Sequence, residues 1–378
     1  MVPVNILHLH STFNLGGKEA RAVRLMNAFG DRARHTIVSG MPDQYGARDV
    51  IAPGIDYEIA QNPPPLTGRP SVKRYEAIAR YMRRFDLVLT YNWGAIDGVM
   101  ARRATRGPRP PVVHHEDGFN SDEIDGLKLE RNIYRRMALS AAHALVVPSA
   151  TLEMIALKTW KQPPTRVHRI PNGIATALYA RKPAADAIPG LKRKPGEIVV
   201  GTLAGLRPVK DLPLLVRAVG GMPGRVRLVI VGEGPERQAI LDTAEAMGLA
   251  DQLVMPGFLP DPHKYVGLFD IMALSSQSEQ FPISIVEGMA AGLPIVAPPV
   301  GDIAAMVAPA NLPYIQNAIG EVRLRDALQS VAAGEPAARK WLGEQNRAKA
   351  VAEYDEGAMI ARYAALYAEA IGRPGAFG

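Results

Sequence analysis

Residues 278–294 read SEQFPISIVEGMAAGLP, and they follow a short apolar run, 271–275, that is typical of a buried strand. The stretch predicts a helix over 282–291, because proline suits the first helical position and glycine followed by proline ends a helix. The apolar run 295–297 predicts the next strand. Strand, loop, helix and strand in this order are typical of a parallel α/β sheet.

This segment carries two glutamates that one extended ligand could reach. Glu279 lies in the loop before the helix, and Glu287 lies more than one turn into it. Carboxylates accept hydrogen bonds from sugar hydroxyls, and the free N–H groups of Ile283 and Ser284 can bind an anion at the helix start. Acidic residues near a helix start also balance the helix dipole, so their spacing alone leaves a purely structural role open.

The same alternation of apolar runs and amphipathic helices extends over most of the chain. Val4–His10 predicts the first strand of one sheet, and Ile198–Leu203 restarts the pattern after a segment rich in proline and glycine. We therefore expect two Rossmann-like, doubly wound α/β domains facing a cleft, where the carboxyl ends of the strands bind ligands. The expected boundaries are 1–172 for the first domain, 173–196 for a linker, 197–355 for the second domain, and 356–378 for a C-terminal helix that packs back on the first.

Composition excludes several classes of protein. The 378 residues are 47% hydrophobic, which suits two globular domains. The chain has no cysteine, which rules out disulfides and thiolate metal sites. The N-terminus has no signal-peptide pattern and no apolar run is long enough to span a bilayer, so we expect a cytoplasmic protein.

The formal charge of +7 predicts anionic partners. The basic residues cluster in the first half, and the amphipathic segment 123–141 carries several of them, so it predicts peripheral attachment to anionic lipid at the inner face of the membrane. A solvated helix is the equal alternative. No zinc-finger or RNA-binding signature occurs, so we expect no nucleic-acid partner. The basic clusters are Lys73, Arg74, Arg80, Arg83 and Arg84; Arg102, Arg103, Arg106 and Arg109; and Lys128, Arg131, Arg135 and Arg136.

Residues 201–211, GTLAGLRPVKD, follow the first strand of the second predicted domain. Lys210 and Arg207 are fixed positive charges that could bracket a diphosphate. A solvated loop with incidental basic residues is the alternative.

Two further groups lie where strands of the first predicted domain end. Gly16 and Gly17 follow the first strand and would let the backbone approach a ligand closely, although they do not form a dinucleotide-binding fingerprint. His115 and Asp117 lie at the end of Val112–His115, where either side chain could contact a ligand at the same edge of the sheet.

Glu279 and Glu287 occupy the two positions of an E-x7-E motif, and the stretch around them resembles family 4 of the retaining glycosyltransferases, which have the GT-B fold. The resemblance implies that Glu279 contacts the donor sugar and Glu287 the nucleotide ribose. Lys210 matches the lysine of the family's G-R-L-x-x-x-K loop. Gly205 stands where the family has arginine, and we expect Arg207 to replace that contact.

Matches to the family occur in the expected order from Leu15 to about Asp302. Family members carry paired glycines facing the donor phosphates and the acceptor, as Gly16 and Gly17 would. His115 matches a family histidine by residue type, and Asp117 matches it by register. Gln280 and Pro282 depart from the usual glycines, which puts contacts to the sugar in doubt.

The resemblance implies a metal-independent, retaining hexosyltransferase of bacterial polysaccharide or glycoconjugate synthesis. The implied donor is a nucleotide-diphosphate sugar, and a UDP sugar is favoured over a GDP sugar because the family more often uses UDP sugars. The implied acceptor is a glycan, a lipid-linked glycan or a small molecule. The alternatives are a non-catalytic nucleotide-sugar-binding partner subunit, a GT-B epimerase or sugar synthase, and a nicotinamide dehydrogenase, which the missing fingerprint disfavours. The implied catalytic residues are Glu279, Lys210, Asp117 and His115, and the donor-binding residues are Gly16, Gly17, Arg207, Lys210, Phe281, Pro282, Ile283, Ser284 and Glu287.

Overall fold

The computed structural model describes residues 2–107, 109–119, 123 and 126–378. The chain divides into two compact units, of which the first comprises Met1–Asn172 and Ala358–Gly378, and the second comprises Gly173–Gly357. Each unit is built on a parallel sheet with helices on both faces, which confirms the predicted α/β fold.

The first unit contains a seven-stranded sheet in the order β3-β2-β1-β4-β5-β6-β7, and all its pairs are parallel. Its central strands are almost completely buried because helices cover both faces, as expected for continuous apolar runs. The strands are β1 (Val4–His10), β2 (Ala33–Ser39), β3 (Tyr57–Ile59), β4 (Leu87–Tyr91), β5 (Val112–His115), β6 (Ala144–Val147) and β7 (Val167–Arg169).

Two layers of helices cover this sheet. One core, which includes Leu7 and Val88, packs against α2 and α3, while the other, which includes Ile6 and Leu89, packs against α1 and the C-terminal helix α12. Ser71 caps α2, because its hydroxyl accepts a hydrogen bond from the Arg74 amide. The helices of this unit are α1 (Gly17–Phe29), α2 (Val72–Met82), α3 (Ile96–Ala104), α4 (Leu129–Leu139), α5 (Ala150–Lys158) and most of α12 (Glu356–Ala370).

The second unit contains a five-stranded parallel sheet in the order β10-β9-β8-β11-β12. Helices α6, α7 and α10 cover one face, and α8 and α11 cover the other. The strands are β8 (Ile198–Leu203), β9 (Val226–Val231), β10 (Leu253–Gly257), β11 (Ile271–Ala273) and β12 (Ile295–Val296). The helices are α6 (Leu212–Gly220), α7 (Arg237–Ala246), α8 (Ile283–Ala290), α9 (Ile303–Met306), α10 (Glu321–Ala333) and α11 (Pro336–Glu353).

The segment 173–196, predicted as a linker, packs within the second unit. Ile174 pairs with Asp355 in an isolated bridge, and Tyr179 and Ile188 are buried in the core of this unit. Its prolines and glycines therefore terminate short elements and form turns.

Helix α4 differs from the basic helix predicted over 123–141. It begins at Leu129 and ends at Leu139, and residues 124 and 125 of the predicted span lie outside the described residues. Arg135, predicted on the basic face, is buried and donates two hydrogen bonds of 3.0 Å to Glu123. A buried guanidinium needs such a carboxylate partner, so Arg135 cannot belong to a lipid-facing surface. Among the described residues, none of the helices combines the length and the apolar composition that spanning a bilayer requires.

Candidate functional site

Two of the predicted residues of the second unit form an ion pair. Lys210 Nζ donates to Glu279 Oε1 at 2.5 Å, and the Ser276 hydroxyl donates to the same oxygen at 2.7 Å. The side chains of Lys210 and Glu279 are only 16% and 10% exposed. Little water screens this pair, so each charge fixes the position of the other.

The loops that carry this pair are joined by further hydrogen bonds. The Ser275 hydroxyl donates to the Lys210 carbonyl at 2.8 Å, and the Gln277 amide donates to the Val209 carbonyl at 2.9 Å. Asp211, the residue before α6, has the left-handed backbone angles φ 44° and ψ 48° and accepts a hydrogen bond from the Gln277 side chain. These bonds hold the loops after β8 and β11 at the carboxyl edge of the sheet, where open α/β sheets bind ligands.

Glycines allow the neighbouring loops to approach these residues closely. Gly301 has φ 57°, and a side chain there would place its Cβ 2.3 Å from the Glu279 carbonyl oxygen. A Cβ at Gly232 would lie 1.9 Å from the carbonyl oxygen of Ala204. Both distances are far below van der Waals contact, so this packing requires glycine.

Helix α8 begins one residue later than predicted, at Ile283, and Pro282 is its N-cap with φ −68° and ψ 113°. The first-turn amides of Ile283 and Ser284 have no partner within the helix, as at every helix start, and can bind an anion. The Phe281 ring is 9% exposed and packs edge-to-face on Tyr354 at 5.5 Å. That ring anchors the helix start in the core, so a donor contact by Phe281 would have to use its backbone.

Glu287 has a partner that the sequence did not predict. The Tyr179 hydroxyl donates to Glu287 Oε1 at 3.3 Å, and Tyr179 lies 108 positions earlier in the chain. This bond orients the Glu287 carboxylate.

Arg207 lies beside Gly205, where the family carries arginine. A Cβ built on Gly205 would be 3.5 Å from Arg207 Nε, and Arg207 is exposed. Its guanidinium therefore lies beside the space that a side chain at position 205 would enter, and the replacement of the family's arginine by Arg207 stays a prediction.

In the first unit, Asp117 is held by an arginine that the sequence did not single out. Arg21 donates to both carboxylate oxygens of Asp117, at 2.8 Å for the Nη2 contact, and its Nη1 also donates to Asn172 Oδ1 at 2.9 Å. The Asp117 amide donates to Asn92 Oδ1 at 2.8 Å. Burial opposes the charge of Arg21, but the Asp117 carboxylate outweighs it and raises the Arg21 pKa above its ordinary value.

His115 lies inside the core of the first unit. It is 1% exposed, its Nε2 lies 2.7 Å from the Tyr367 hydroxyl, and its Nδ1 lies 3.1 Å from the Thr90 carbonyl oxygen. Burial, followed by the charge of Arg21, lowers the His115 pKa well below its ordinary value, so the ring is neutral. Of the two residues predicted at this strand end, Asp117 retains solvent access, with 14% of its side chain exposed.

Gly16 and Gly17 are exposed at the start of α1, and no side chain caps this helix. Lys18, next to them, pairs with Glu19, and burial is the main cause that lowers the Lys18 pKa to about 8. The described part of the chain contains no cluster of three or more histidine, aspartate or glutamate side chains suited to a metal ion.

Solved structures of other proteins share this architecture. The chain resembles Anabaena HepE in complex with UDP and glucose, with a TM-score of 0.77 and 20% identity over 96% of this chain and 98% of that one. It also resembles sucrose-phosphate synthase from Thermosynechococcus elongatus, with a TM-score of 0.78 and 21% identity over 97% and 99% of the two chains. The fold is therefore that of the GT-B glycosyltransferases.

Family models specify the membership further. Residues 15–178 match the model "Glycosyltransferase Family 4", and residues 185–354 match "Glycosyl transferases group 1". The chain belongs to glycosyltransferase family 4.

Two of the three curated relatives described next match only part of their own length. The D-inositol 3-phosphate glycosyltransferase of Segniliparus rotundus is 32% identical over 38% of this chain and 34% of its own length, and that of Nocardia farcinica is 26% identical over 59% and 53%. The chain thus spans about a third to a half of these relatives. The 2-deoxystreptamine N-acetyl-D-glucosaminyltransferase of Streptomyces fradiae is 25% identical over 76% of both chains.

Proposed function

We propose that this protein transfers a hexosyl group from a nucleotide-diphosphate sugar to an acceptor hydroxyl, without a metal and with retention of the anomeric configuration. The Lys210–Glu279 ion pair at the start of α8 carries the proposal. The cation and the carboxylate of this pair precede the first amides of α8, and together these groups could bind a diphosphate and the sugar attached to it.

The reaction breaks the bond between the anomeric carbon and the donor phosphate oxygen. The leaving diphosphate gains negative charge, which Lys210, Arg207 and the first amides of α8 stabilise. Glu279 binds the sugar hydroxyls and positions the ring. The acceptor oxygen bonds to the anomeric carbon on the face that the diphosphate leaves, and its proton passes to a phosphate oxygen, so no protein nucleophile is needed.

The first unit supplies the acceptor side of the proposal. Asp117, fixed by Arg21, accepts a hydrogen bond from the acceptor or from the donor sugar, and Gly16 and Gly17 allow close approach of the donor phosphates. His115 does not contact a substrate in this proposal. Its bonds to Tyr367 and to the backbone of Thr90 support the strand end that carries Asp117.

UDP sugars are the proposed donors, because HepE was solved with UDP and glucose. The acceptor is a glycan, a lipid-linked glycan or a polyhydroxylated small molecule, since the named relatives act on an inositol phosphate and on an aminocyclitol. A role in bacterial polysaccharide or glycoconjugate synthesis fits these acceptors. We place the protein in the cytoplasm as part of this proposal. The excess of arginine in the first unit favours peripheral contact with an anionic membrane.

A thermal-shift screen of UDP and GDP sugars tests the donor. We expect a UDP sugar to raise the unfolding temperature most, and mass spectrometry should then show its transfer to inositol 3-phosphate, 2-deoxystreptamine or a glycan. Proton NMR of the product reports whether the anomeric configuration is retained. A product of inverted configuration would contradict the proposed mechanism, and a failure of every nucleotide sugar to stabilise the protein would contradict the function.

The same assay separates the alternatives. A partner subunit would bind the nucleotide sugar but neither hydrolyse nor transfer it. An epimerase would convert the sugar without any acceptor.

Glu279→Gln is expected to separate binding of the nucleotide from reaction of the sugar. In the wild type, a free nucleoside diphosphate competes with Glu279 for Lys210. Removing the carboxylate charge should tighten binding of UDP about tenfold, which corresponds to about 1.4 kcal/mol. Transfer should fall, because the neutral amide oxygen accepts weaker hydrogen bonds from the sugar hydroxyls than the carboxylate does. Titration calorimetry with UDP measures the affinity. Glu344→Gln, an exposed position on α11, is the control, and weaker binding of UDP by Glu279→Gln would contradict the competition.

A further inference from the structure

Helix α4 exposes a row of aliphatic side chains on the outside of the first unit. Leu129, Ile133 and Met137 are 74%, 52% and 45% exposed, and their spacing of four residues places them on one side of the helix. Ala138 and Leu139 on the opposite side are buried, so the helix is fixed to the unit by its other face. These three residues are called the α4 stripe below.

Exposed arginines continue from the end of this stripe. Arg103 donates to the Ser140 hydroxyl at 2.8 Å, directly after α4. Arg109 donates to the Arg102 carbonyl at 2.6 Å, and Arg83 donates to the Arg106 carbonyl at 2.8 Å. These bonds connect the exposed arginines into one surface, the arginine rim, made of Arg83, Arg103, Arg106 and Arg109.

Within the described ranges, no ion pair neutralises the charge of the arginine rim. The guanidinium groups of Arg83, Arg103 and Arg109 donate to a hydroxyl or to backbone carbonyls, and among the described residues no carboxylate oxygen lies within 4.0 Å of a rim guanidinium. Like charges held side by side without counter-ions favour binding to an anionic surface.

We infer that the α4 stripe and the arginine rim dock this protein on an anionic lipid bilayer, with Leu129, Ile133 and Met137 entering the region below the headgroups. This inference rests on the membrane contact named in the proposed function and gives it a defined surface and mode of attachment. It uses none of the residues assigned to transfer.

The chemistry of this surface favours lipid over other anionic partners. A nucleic acid would use the arginines but would leave three aliphatic side chains in water. A stable protein interface buries about 800 Å² on each partner, and a row of three side chains on one helix supplies only a small part of that area. A bilayer accepts both parts of the surface, since aliphatic groups enter the acyl boundary and arginines contact phosphate groups.

The experiment uses the absence of cysteine from the chain. Ile133→Cys and, as a control on α10 of the second unit, Val322→Cys are each labelled with an environment-sensitive fluorophore. Vesicles of equimolar phosphatidylcholine and phosphatidylglycerol should shift the emission at position 133 to the blue, and lipids brominated in the acyl chain should quench it. Position 322 should not respond. Equal responses, or none at either position, would overturn the inference.

Sedimentation with the same vesicles tests the two parts separately. Leu129→Ser, Ile133→Ser and Met137→Ser together should weaken binding at least about tenfold at low salt. Arg103→Gln, Arg106→Gln and Arg109→Gln together should weaken it about as much and remove its dependence on salt. Lys192→Gln, Arg225→Gln and Lys340→Gln remove the same charge from the second unit and should have little effect. Unchanged binding by the serine variant would show electrostatic adsorption only and would overturn insertion of the stripe. Neither readout involves sugar transfer, so a failed transfer assay and a failed docking test remain distinguishable.

Discussion

Lys210→Ala is expected to reduce turnover about 10²- to 10³-fold, the usual effect of removing one group that stabilises developing negative charge. Lys210 is the cation held closest to Glu279, and its side chain is 16% exposed, so water cannot easily replace it. The KM for the donor should rise less than the turnover falls, because the charge on the diphosphate grows as the bond breaks. Steady-state kinetics with the best donor from the screen measures both quantities.

Lys264→Ala is the matched control for this variant. Lys264 is also in the second unit and also pairs with a carboxylate, that of Asp261, but its side chain is 64% exposed. It should retain full turnover. Circular dichroism should show that Lys210→Ala keeps the fold, since Ser276 still binds Glu279. Turnover of a folded Lys210→Ala variant near that of the wild type would contradict the assigned role of Lys210.

The sequence was sufficient to predict the fold because the strands are continuous apolar runs between turn residues. The predicted strands Val4–His10 and Ile198–Leu203 have the bounds found in the structure. Strands buried on both faces are apolar throughout, so they can be recognised without an alternation of apolar and polar residues. Parallel strands joined by helices permit few sheet topologies.

Helix ends and burial were harder to predict, because charged residues carry little information about their surroundings. Arg135 lies in a segment that looks like a basic amphipathic helix. In the structure its guanidinium lies 5.0 Å from the centre of the Trp93 ring and 5.3 Å from that of Trp160, and Glu123 balances its charge. Nothing in the local pattern identifies those partners.

The candidate site shows the same limit. Lys210 and Glu279 could be singled out because each lies in a recognisable turn after a strand, and the structure places them in contact. Arg21 binds Asp117 across 96 positions of the chain, and no local spacing indicates that contact. Tyr179 was hidden in a segment whose prolines and glycines predicted a linker, so its bond to Glu287 depends on tertiary packing.

The second large effect is expected in acid, where the first unit should lose stability well above the pH at which carboxylates are protonated. Four buried histidines form a cluster: His8 Nε2 lies 2.9 Å from His35 Nδ1, and His10 and His115 stack on Tyr91 with ring centres 4.0 and 4.7 Å away. All four are at most 2% exposed. Lys18 adds positive charge that opposes protonation of His10, and Arg21 does so for His10 and His115.

Burial is the main cause that lowers the pKa of all four histidines, that of His35 to about 4. In the unfolded chain each should titrate near pH 6.5, so the unfolded state binds more protons below that pH. The contribution of the neutral histidines to the free energy of unfolding is therefore fully present above about pH 6.5. It is lost as the pH falls toward 4, at about 1.4 kcal/mol per pH unit for each histidine. At pH 5, His35 alone should lower the free energy of unfolding by about 2 kcal/mol.

Tryptophan fluorescence can isolate this effect. The chain has three tryptophans, and Trp341→Phe leaves only Trp93 and Trp160, which both lie in the first unit. Urea unfolding of that variant should shift to much lower urea between about pH 7.5 and pH 5. His35→Gln should reduce the slope of the free energy of unfolding against pH by the contribution of about one proton. His263→Gln in the second unit should leave that slope unchanged. Because carboxyl groups titrate mostly below about pH 4.5, a loss confined to lower pH would assign the acid sensitivity to them and contradict the role of the histidine cluster.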